Sequence, residues 1–150
     1  MPAFSGKYYY TVDPKGRIIV PAPFREIISA KYSPKLFITN APSESCLHIF
    51  PFEEWNRLLD KVRALPRTNE HIKFFSRRVI ASAVEMELDR QGRLLIPSAH
   101  RQDAGINGEV VIVGQIDKIE LWDKRLWGEV ADLAKIDIKS YEAALSDFGL

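Results

Sequence analysis

Val12-Asp13-Pro14-Lys15-Gly16-Arg17-Ile18-Ile19-Val20-Pro21 returns further along the chain as Leu88-Asp89-Arg90-Gln91-Gly92-Arg93-Leu94-Leu95-Ile96-Pro97. From Asp13 to Asp89 the interval is 76 positions, and Gly, Arg, Pro and the pair Arg25 and Arg101 recur at that same interval. Upstream, the shift lays Tyr8, Tyr10 and Val12 on Val84, Met86 and Leu88, so the apolar alternation keeps its phase. Downstream, Leu47-His48-Ile49-Phe50 and Trp55 correspond to Ile119-Glu120-Leu121-Trp122 and Trp127, now at an interval of 72. Agreement of this kind across types and positions is an internal duplication. The second copy has lost four residues, mostly from the loop around Pro42-Ser43-Glu44-Ser45.

Each copy reads as strand, turn, strand, short helix, two strands and a longer helix. Residues 8–12 and 80–88 alternate as half-buried strands, the second with Ile80, Val84, Met86 and Leu88 on one face. Asp-Pro-Lys-Gly is turn chemistry, with Asp opening the turn, Pro presetting φ, and Gly available where φ is positive. Asp-Arg-Gln-Gly repeats it without the proline. The unbroken runs Ile18-Ile19-Val20 and Leu94-Leu95-Ile96 predict strands buried on both faces. Pro21 and Pro97 suit the first turn of a helix, and Gly105 a helix stop. Strands are expected at 36–39, 47–50, 109–113 and 118–122. Trp55, Leu58, Leu59, Val62 and Leu65 form an apolar helical stripe, matched by Leu126, Trp127, Val130 and Leu133. Residues 69–78 predict a linking helix ending in Arg77-Arg78, and 140–148 a short amphipathic helix placed to lie against a neighbour. About 45 structured residues rarely bury enough core alone, so the two copies are expected to interlock into one pseudo-two-fold globule.

The 150 residues are 46% hydrophobic and 27% charged, ordinary for a globular chain. No apolar run approaches the roughly 20 residues of a membrane span, and the opening Met1–Lys7 stretch lacks the apolar core of a secretory signal. The single cysteine, Cys46, fits a reducing compartment. A cytoplasmic protein is expected, without membrane contact. The net charge of +1 conceals a split: residues 1–78 carry 13 basic and 7 acidic side chains (+6), and residues 79–150 carry 8 and 13 (−5). Such a split points to an anionic partner for the basic half.

Catalytic and metal motifs do not emerge from the spacing. His48, His71 and His100 fit no metal-ligand pattern, Cys46 has no cysteine partner, and no nucleophile elbow or phosphate loop occurs. Cys46 with His48 as a nucleophile–base pair, and Asp13 with Asp89 as paired carboxylates, are the only catalytic sets on offer. Turn formation and pairing with Arg17 and Arg93 account better for the two aspartates. The expectation is therefore no enzyme, no cofactor, no small-molecule substrate and no metal. The turn-plus-arginine element fits another task. Lys15 and Arg17 form a cationic ridge, Arg90 and Arg93 its counterpart, and Lys7 and Arg25 widen the footprint. Two-stranded ribbons enter the DNA major groove, where arginine bonds guanine bidentately. Asp13, Gly16, Asp89 and Gly92 are the structural turn residues.

Two Asp-x-x-x-Arg motifs, each followed by three apolar residues and Pro, stand beside Leu47-His48-Ile49-Phe50-Pro51-Phe52-Glu53-Glu54-Trp55 and Gly114-Gln115-Ile116-Asp117-Lys118-Ile119-Glu120-Leu121-Trp122. Over residues 4–135 this pattern resembles the MraZ family, and each half resembles the AbrB-like (SpoVT-AbrB) swapped-hairpin module. The resemblance implies an α+β fold of two tandem swapped-hairpin modules: residues 7–53, a helical linker 54–78, a second module 79–124, and a C-terminal helical segment 125–150. It also implies a nucleoid-associated bacterial regulator, expected to repress, of the division and cell-wall gene cluster. Rings of eight or twelve subunits would bind promoter direct repeats in double-stranded DNA. The family's DNA-contacting arginine falls on Arg17, beside Lys15, with Arg93 its counterpart. Arg90-Gln91 in place of Pro14-Lys15, and His100 and Asp103 in place of Phe24 and Ile27, weaken the case for an equal second ridge. A ring-forming interaction scaffold that binds no DNA is the alternative, and an antitoxin-type AbrB-like regulator a lesser one.

Overall fold

The computed structural model describes residues 2–150. Strands β1 (Lys7–Thr11), β3 (Leu36–Asn40), β4 (Leu47–Pro51), β5 (Val84–Met86), β7 (Glu109–Gln115) and β8 (Lys118–Asp123) form one antiparallel sheet, ordered β1-β7-β8-β4-β3-β5. Strands β2 (Arg17–Ile19) and β6 (Arg93–Leu95) make a separate two-stranded ribbon. The helices are α1 (Ala22–Lys31), α2 (Phe52–Arg63), α3 (Glu70–Phe75), α4 (Ser98–Asp103), α5 (Lys124–Val130) and α6 (Ile138–Asp147).

The strand pairing explains why neither copy stands alone. Strand β1 of the first repeat pairs with β7 of the second, and β5 of the second with β3 of the first. The ribbon joins β2 to β6, and the sheet centre joins β4 to β8. Only β3 with β4, and β7 with β8, pair within a repeat. The register is pseudo-two-fold, since Ile18 lies opposite its counterpart Leu94, and His48 opposite its counterpart Glu120.

Period-2 alternation divides the sheet into two faces. One face, with Leu36, Ile38, Leu47, Ile49, Val110, Ile112, Ile119 and Leu121, packs under the ribbon's Ile18, Val20, Leu94 and Ile96 and under Phe4, Phe24 and Ile28. On the other face Trp55 of α2 stacks on Phe37, 5.4 Å between ring centroids, and lies against Phe50. Trp122 there meets Trp127 of α5.

Several sequence expectations need correction. Residues 76–80 form a π-helical turn, so Ile80 ends a helix, and the second leading strand shrinks to Val84–Met86. Ile18-Ile19-Val20 and Leu94-Leu95-Ile96 are not buried on both faces: a two-stranded ribbon has one face on the core, so Ile19 and Leu95 point outward, 36% and 52% exposed. Pro21 and Pro97 sit one position earlier than expected, as the residues capping α1 and α4. The residue loss is shared. Leu36 opposite Met86 and Val110 opposite Tyr10 make Leu36 and Val110 equivalent, 74 positions apart, so two residues are missing before β7 and two after it. The stripe continuing through Val130 and Leu133 is absent from the core, with these residues 53% and 64% exposed. Asp132 accepts a hydrogen bond from the Ala134 N–H and starts a 3₁₀ turn at that point. Gly105, with φ +63°, does follow the end of α4.

Candidate nucleic-acid interface

Each hairpin tip is organised by its aspartate. Asp13 Oδ1 accepts the backbone N–H groups of Lys15 (2.9 Å) and Arg17 (2.8 Å), and Oδ2 accepts Arg17 Nε at 2.8 Å. Asp89 repeats the arrangement with the N–H groups of Gln91 and Arg93, both at 2.9 Å, and with Arg93 Nε at 2.7 Å. The backbone N–H of the arginine in each tip holds its carboxyl below the usual aspartate range. Both aspartates are thus turn formers as well as ion-pair partners, and are ionised at neutral pH. Gly16 and Gly92 close the turns at φ +84° and +76°, where a side chain is strained.

The ion pair does not consume the guanidinium. Committing Nε to the aspartate leaves the two terminal nitrogens of each guanidinium outside that bond, on residues that alternation places on the outer face of the ribbon. On that face Arg17 stands opposite Leu95, and Arg93 opposite Ile19, so an exposed aliphatic pair is flanked diagonally by two oriented cations. Arg93 spends a further donor on Gln91 Oε1 at 2.5 Å. Among the described residues Arg17 makes no such bond, because Lys15 occupies the equivalent position.

The tips are also clasped across the repeats. The Ile96 N–H donates to Gly16 O at 2.8 Å, and the Val20 N–H to Gly92 O at 2.9 Å. Arg101 of the second repeat lies over Gly16, and Arg25 of the first lies over Gly92, each where a Cβ would fall. Arg25 therefore joins the ridge of Arg90 and Arg93, and Arg101 joins that of Lys15 and Arg17. Sequence reading missed Arg101, although its match to Arg25 was visible, because a swapped partner is not a neighbour in the chain. It missed Ile19 and Leu95 by taking a continuous apolar run as fully buried. Lys7 stands apart: it opens β1, at the end remote from the turn, and its Nζ lies 5.9 Å from the Trp127 ring.

The two ridges differ in their approach. Tyr9 and Thr11 on the strand leading to the first tip correspond to Glu85 and Glu87 on the way to the second, and Glu87 lines one groove with Arg90. A groove of about 600 Å³ between α1 and the second tip is lined by Arg25, Tyr32, Glu87 and Asp89 among others. The catalytic alternative loses its nucleophile. Cys46 is buried, and burial pushes its thiol far above the range in which a thiolate forms at neutral pH. No helix among the described residues is long and apolar enough to cross a membrane.

Two successive stretches, residues 3–78 and 79–148, match the family profile described as "MraZ protein, putative antitoxin-like". The chain is 38% identical over 147 residues to the transcriptional regulator MraZ of Halothermothrix orenii, covering 98% of this chain and 99% of that one. It is 37% identical over 147 residues to that of Clostridium beijerinckii, with the same coverage of 98% and 99%. It is 38% identical over 145 residues to that of Carboxydothermus hydrogenoformans, covering 97% and 98%. With both halves matched separately, in the same division that the duplicated hairpins mark, the chain belongs to the MraZ family.

Proposed function

We propose that this protein is a sequence-specific DNA-binding regulator of transcription that reads promoter direct repeats through the outer face of the β2–β6 ribbon. The observation that carries this reading is the pair of arginines, Arg17 and Arg93, each held by an aspartate through Nε, with both terminal nitrogens of Arg17 left to bond and one of those of Arg93 shared with Gln91. A ribbon of two strands fits the major groove, which is about 12 Å wide, and an oriented arginine fork suits guanine O6 and N7. Ile19 and Leu95 supply apolar contact of the kind a thymine methyl accepts. Lys15, Arg101, Arg90 and Arg25 flank the ribbon as phosphate contacts, which set affinity and salt dependence. The first tip contributes most of the binding energy, because the strand leading to it carries Tyr9 and Thr11 where the other carries Glu85 and Glu87, and because Arg17 has no counterpart of the Gln91 bond. Two AbrB-like swapped-hairpin modules, 7–53 and 79–124, joined by 54–78 and followed by 125–150, account for the interlocked pairing.

Assembly into a ring of eight or twelve subunits completes the reading. Val130, Leu133, Ile136, Ile138, Tyr141 and Phe148 form an apolar run exposed along the C-terminal segment, and burying it between subunits removes an otherwise unfavourable surface. A ring presents several ribbons at fixed spacing, and repeated operator sites convert weak single contacts into avidity. The family relationship supports a target in the division and cell-wall gene cluster, repression as the outcome, and a place in the cytoplasm on the nucleoid. The test is retention of a duplex carrying the promoter of the protein's own cluster, titrated with salt. Specific binding, with log K falling linearly in log salt, is expected. Equal retention of scrambled DNA refutes sequence-specific reading, and a ring with no DNA retention at low salt establishes the interaction scaffold instead.

A further inference from the structure

On the sheet face opposite the ribbon, three groups of metal-ligand chemistry converge at the pseudo-two-fold axis. Cys46 and His48 are two residues apart along the first repeat's chain into β4, so they share a face. Glu120 of β8 is the register partner of His48. The thiol sulfur, an imidazole nitrogen and a carboxylate oxygen all lie within 4.8 Å of one another. All three side chains are buried, with residue exposures of 1%, 7% and 9%.

The polar arrangement is incomplete without a ligand. His48 Nε2 is buried and has no hydrogen-bond partner among the described residues. Glu120 Oε2 is 3.5 Å away, within ion-pair distance of a protonated imidazole but long for a hydrogen bond. Tetrahedral zinc, with bonds of about 2.0–2.2 Å to nitrogen and oxygen, sets two such ligand atoms about 3.4 Å apart. Glu120 is already aimed: its Oε1 accepts Trp122 Nε1 at 3.0 Å and Gln115 Nε2 at 3.3 Å, which turns Oε2 toward the histidine.

We propose that Cys46 Sγ, His48 Nε2 and Glu120 Oε2 bind one zinc(II) ion, with water as the fourth ligand. A thiolate and a carboxylate cancel the ion's charge, so the filled site is neutral, which a buried position requires. Mixed sulfur, nitrogen and oxygen donors favour zinc over the hard cations magnesium and calcium. A cavity of about 260 Å³ lined by His48, Phe50, Glu54, Asp117 and Lys118 gives entry and room for the water. On binding, the Cys46 S–H bond breaks, the sulfur–zinc bond forms and the proton leaves to solvent, with no change of oxidation state. Affinity therefore rises with pH. Two ligands come from the first repeat and one from the second, so the ion ties the repeats together at the centre of the sheet. Spacing along the sequence conceals this site, because Glu120 is 72 positions beyond His48.

Cobalt(II) added to the chelator-treated full-length protein tests the proposal. Cys46 is the only cysteine, so a thiolate-to-cobalt charge-transfer band in the near ultraviolet can arise from no other side chain. The expected result is that band at one cobalt per chain, bleached by equimolar zinc and absent in Cys46→Ser. Glu120→Gln is expected to weaken zinc binding by at least about tenfold, with the far-ultraviolet circular dichroism unchanged. Should either variant fail to fold, X-ray absorption of the zinc-loaded native protein decides, with one sulfur and two or three nitrogen or oxygen neighbours expected. No charge-transfer band with excess cobalt, or a zinc shell without sulfur, overturns the site.

Discussion

Replacing Arg17 with lysine conserves the charge and removes the fork, and so separates positioning from simple attraction. In the protein Arg17 Nε is spent on Asp13 Oδ2 at 2.8 Å, while its terminal nitrogens make no hydrogen bond among the described residues. Lysine has a single ammonium group. It can remain with Asp13 or reach a base edge, and cannot do both in one fixed geometry. The expected loss is that of one bidentate base contact, about 1–3 kcal/mol, or roughly 5- to 150-fold in the dissociation constant for the specific duplex. The slope of log K against log salt stays unchanged, since the number of cations is the same. Arg17→Ala gives at least the same loss of discrimination and also flattens the slope by up to about 0.9. Fluorescence anisotropy with a duplex holding one repeat unit, over roughly 50–200 mM salt and against a scrambled control, reads both quantities. Wild-type specificity in Arg17→Lys refutes the oriented fork. An equal loss on specific and scrambled DNA does so too, because it reduces Arg17 to a phosphate contact.

Four further outcomes are expected. Arg101→Ala weakens DNA retention to a similar degree as Lys15→Ala in the same anisotropy titration, although it lies in the acidic repeat, because it rests over Gly16; wild-type retention sinks the cross-repeat ridge. Gly114→Ala places a Cβ 2.6 Å from the Phe4 carbonyl carbon, displaces the Phe4 arm and costs about 3–5 kcal/mol, the range for losing a buried phenylalanine; thermal denaturation of Gly114→Ala, Phe4→Ala and the double variant should show the two costs overlapping rather than adding. The depressed carboxyls of Asp13 and Asp89 stabilise the tips at pH values above the ordinary carboxylate range near 3.9, and this is lost as pH falls through their lower folded values, so the amide resonances of Lys15 and Arg17 should hold steady from about pH 5 to 7 and move only in stronger acid. Truncation after Val130 should lower the assembly size measured by light scattering while leaving the thermal midpoint close to wild type, since the removed residues are almost entirely exposed.

What the sequence made legible was everything encoded at a fixed interval. The duplication, the turn chemistry of Asp13 and Asp89, seven of the eight strand positions and the need to interlock all follow from period and phase. The missed features depend on which surface an element meets. Ile19 and Leu95 carry no local mark that distinguishes them from Ile18 and Leu94, because exposure is decided by the single core-facing side of a two-stranded ribbon. The apolar alternation that begins at Ile80 suggests a strand, but residues 76–80 are drawn into a π-helical turn where Thr39 Oγ1 donates to Val79 O at 2.5 Å. The Cys46, His48 and Glu120 cluster, like the placing of Arg101, exists only after the swap brings the repeats together.

Duplication within one chain also permits the two halves to diverge in a way that two identical subunits cannot. The ribbon requires both repeats, since the strand partner of β2 is β6 and the tips are clasped crosswise through Gly16 and Gly92. Chemistry at the tips is not under the same constraint. The second repeat carries acids at Glu85 and Glu87 where the first has Tyr9 and Thr11, and Gln91 ties down an arginine whose counterpart makes no such bond. The second repeat nevertheless keeps Asp89, Gly92, Arg93 and Arg101, the residues that shape its own turn and place a cation on the first tip. A half with net charge −5 is a poor independent ligand for DNA but a suitable frame for a half with +6.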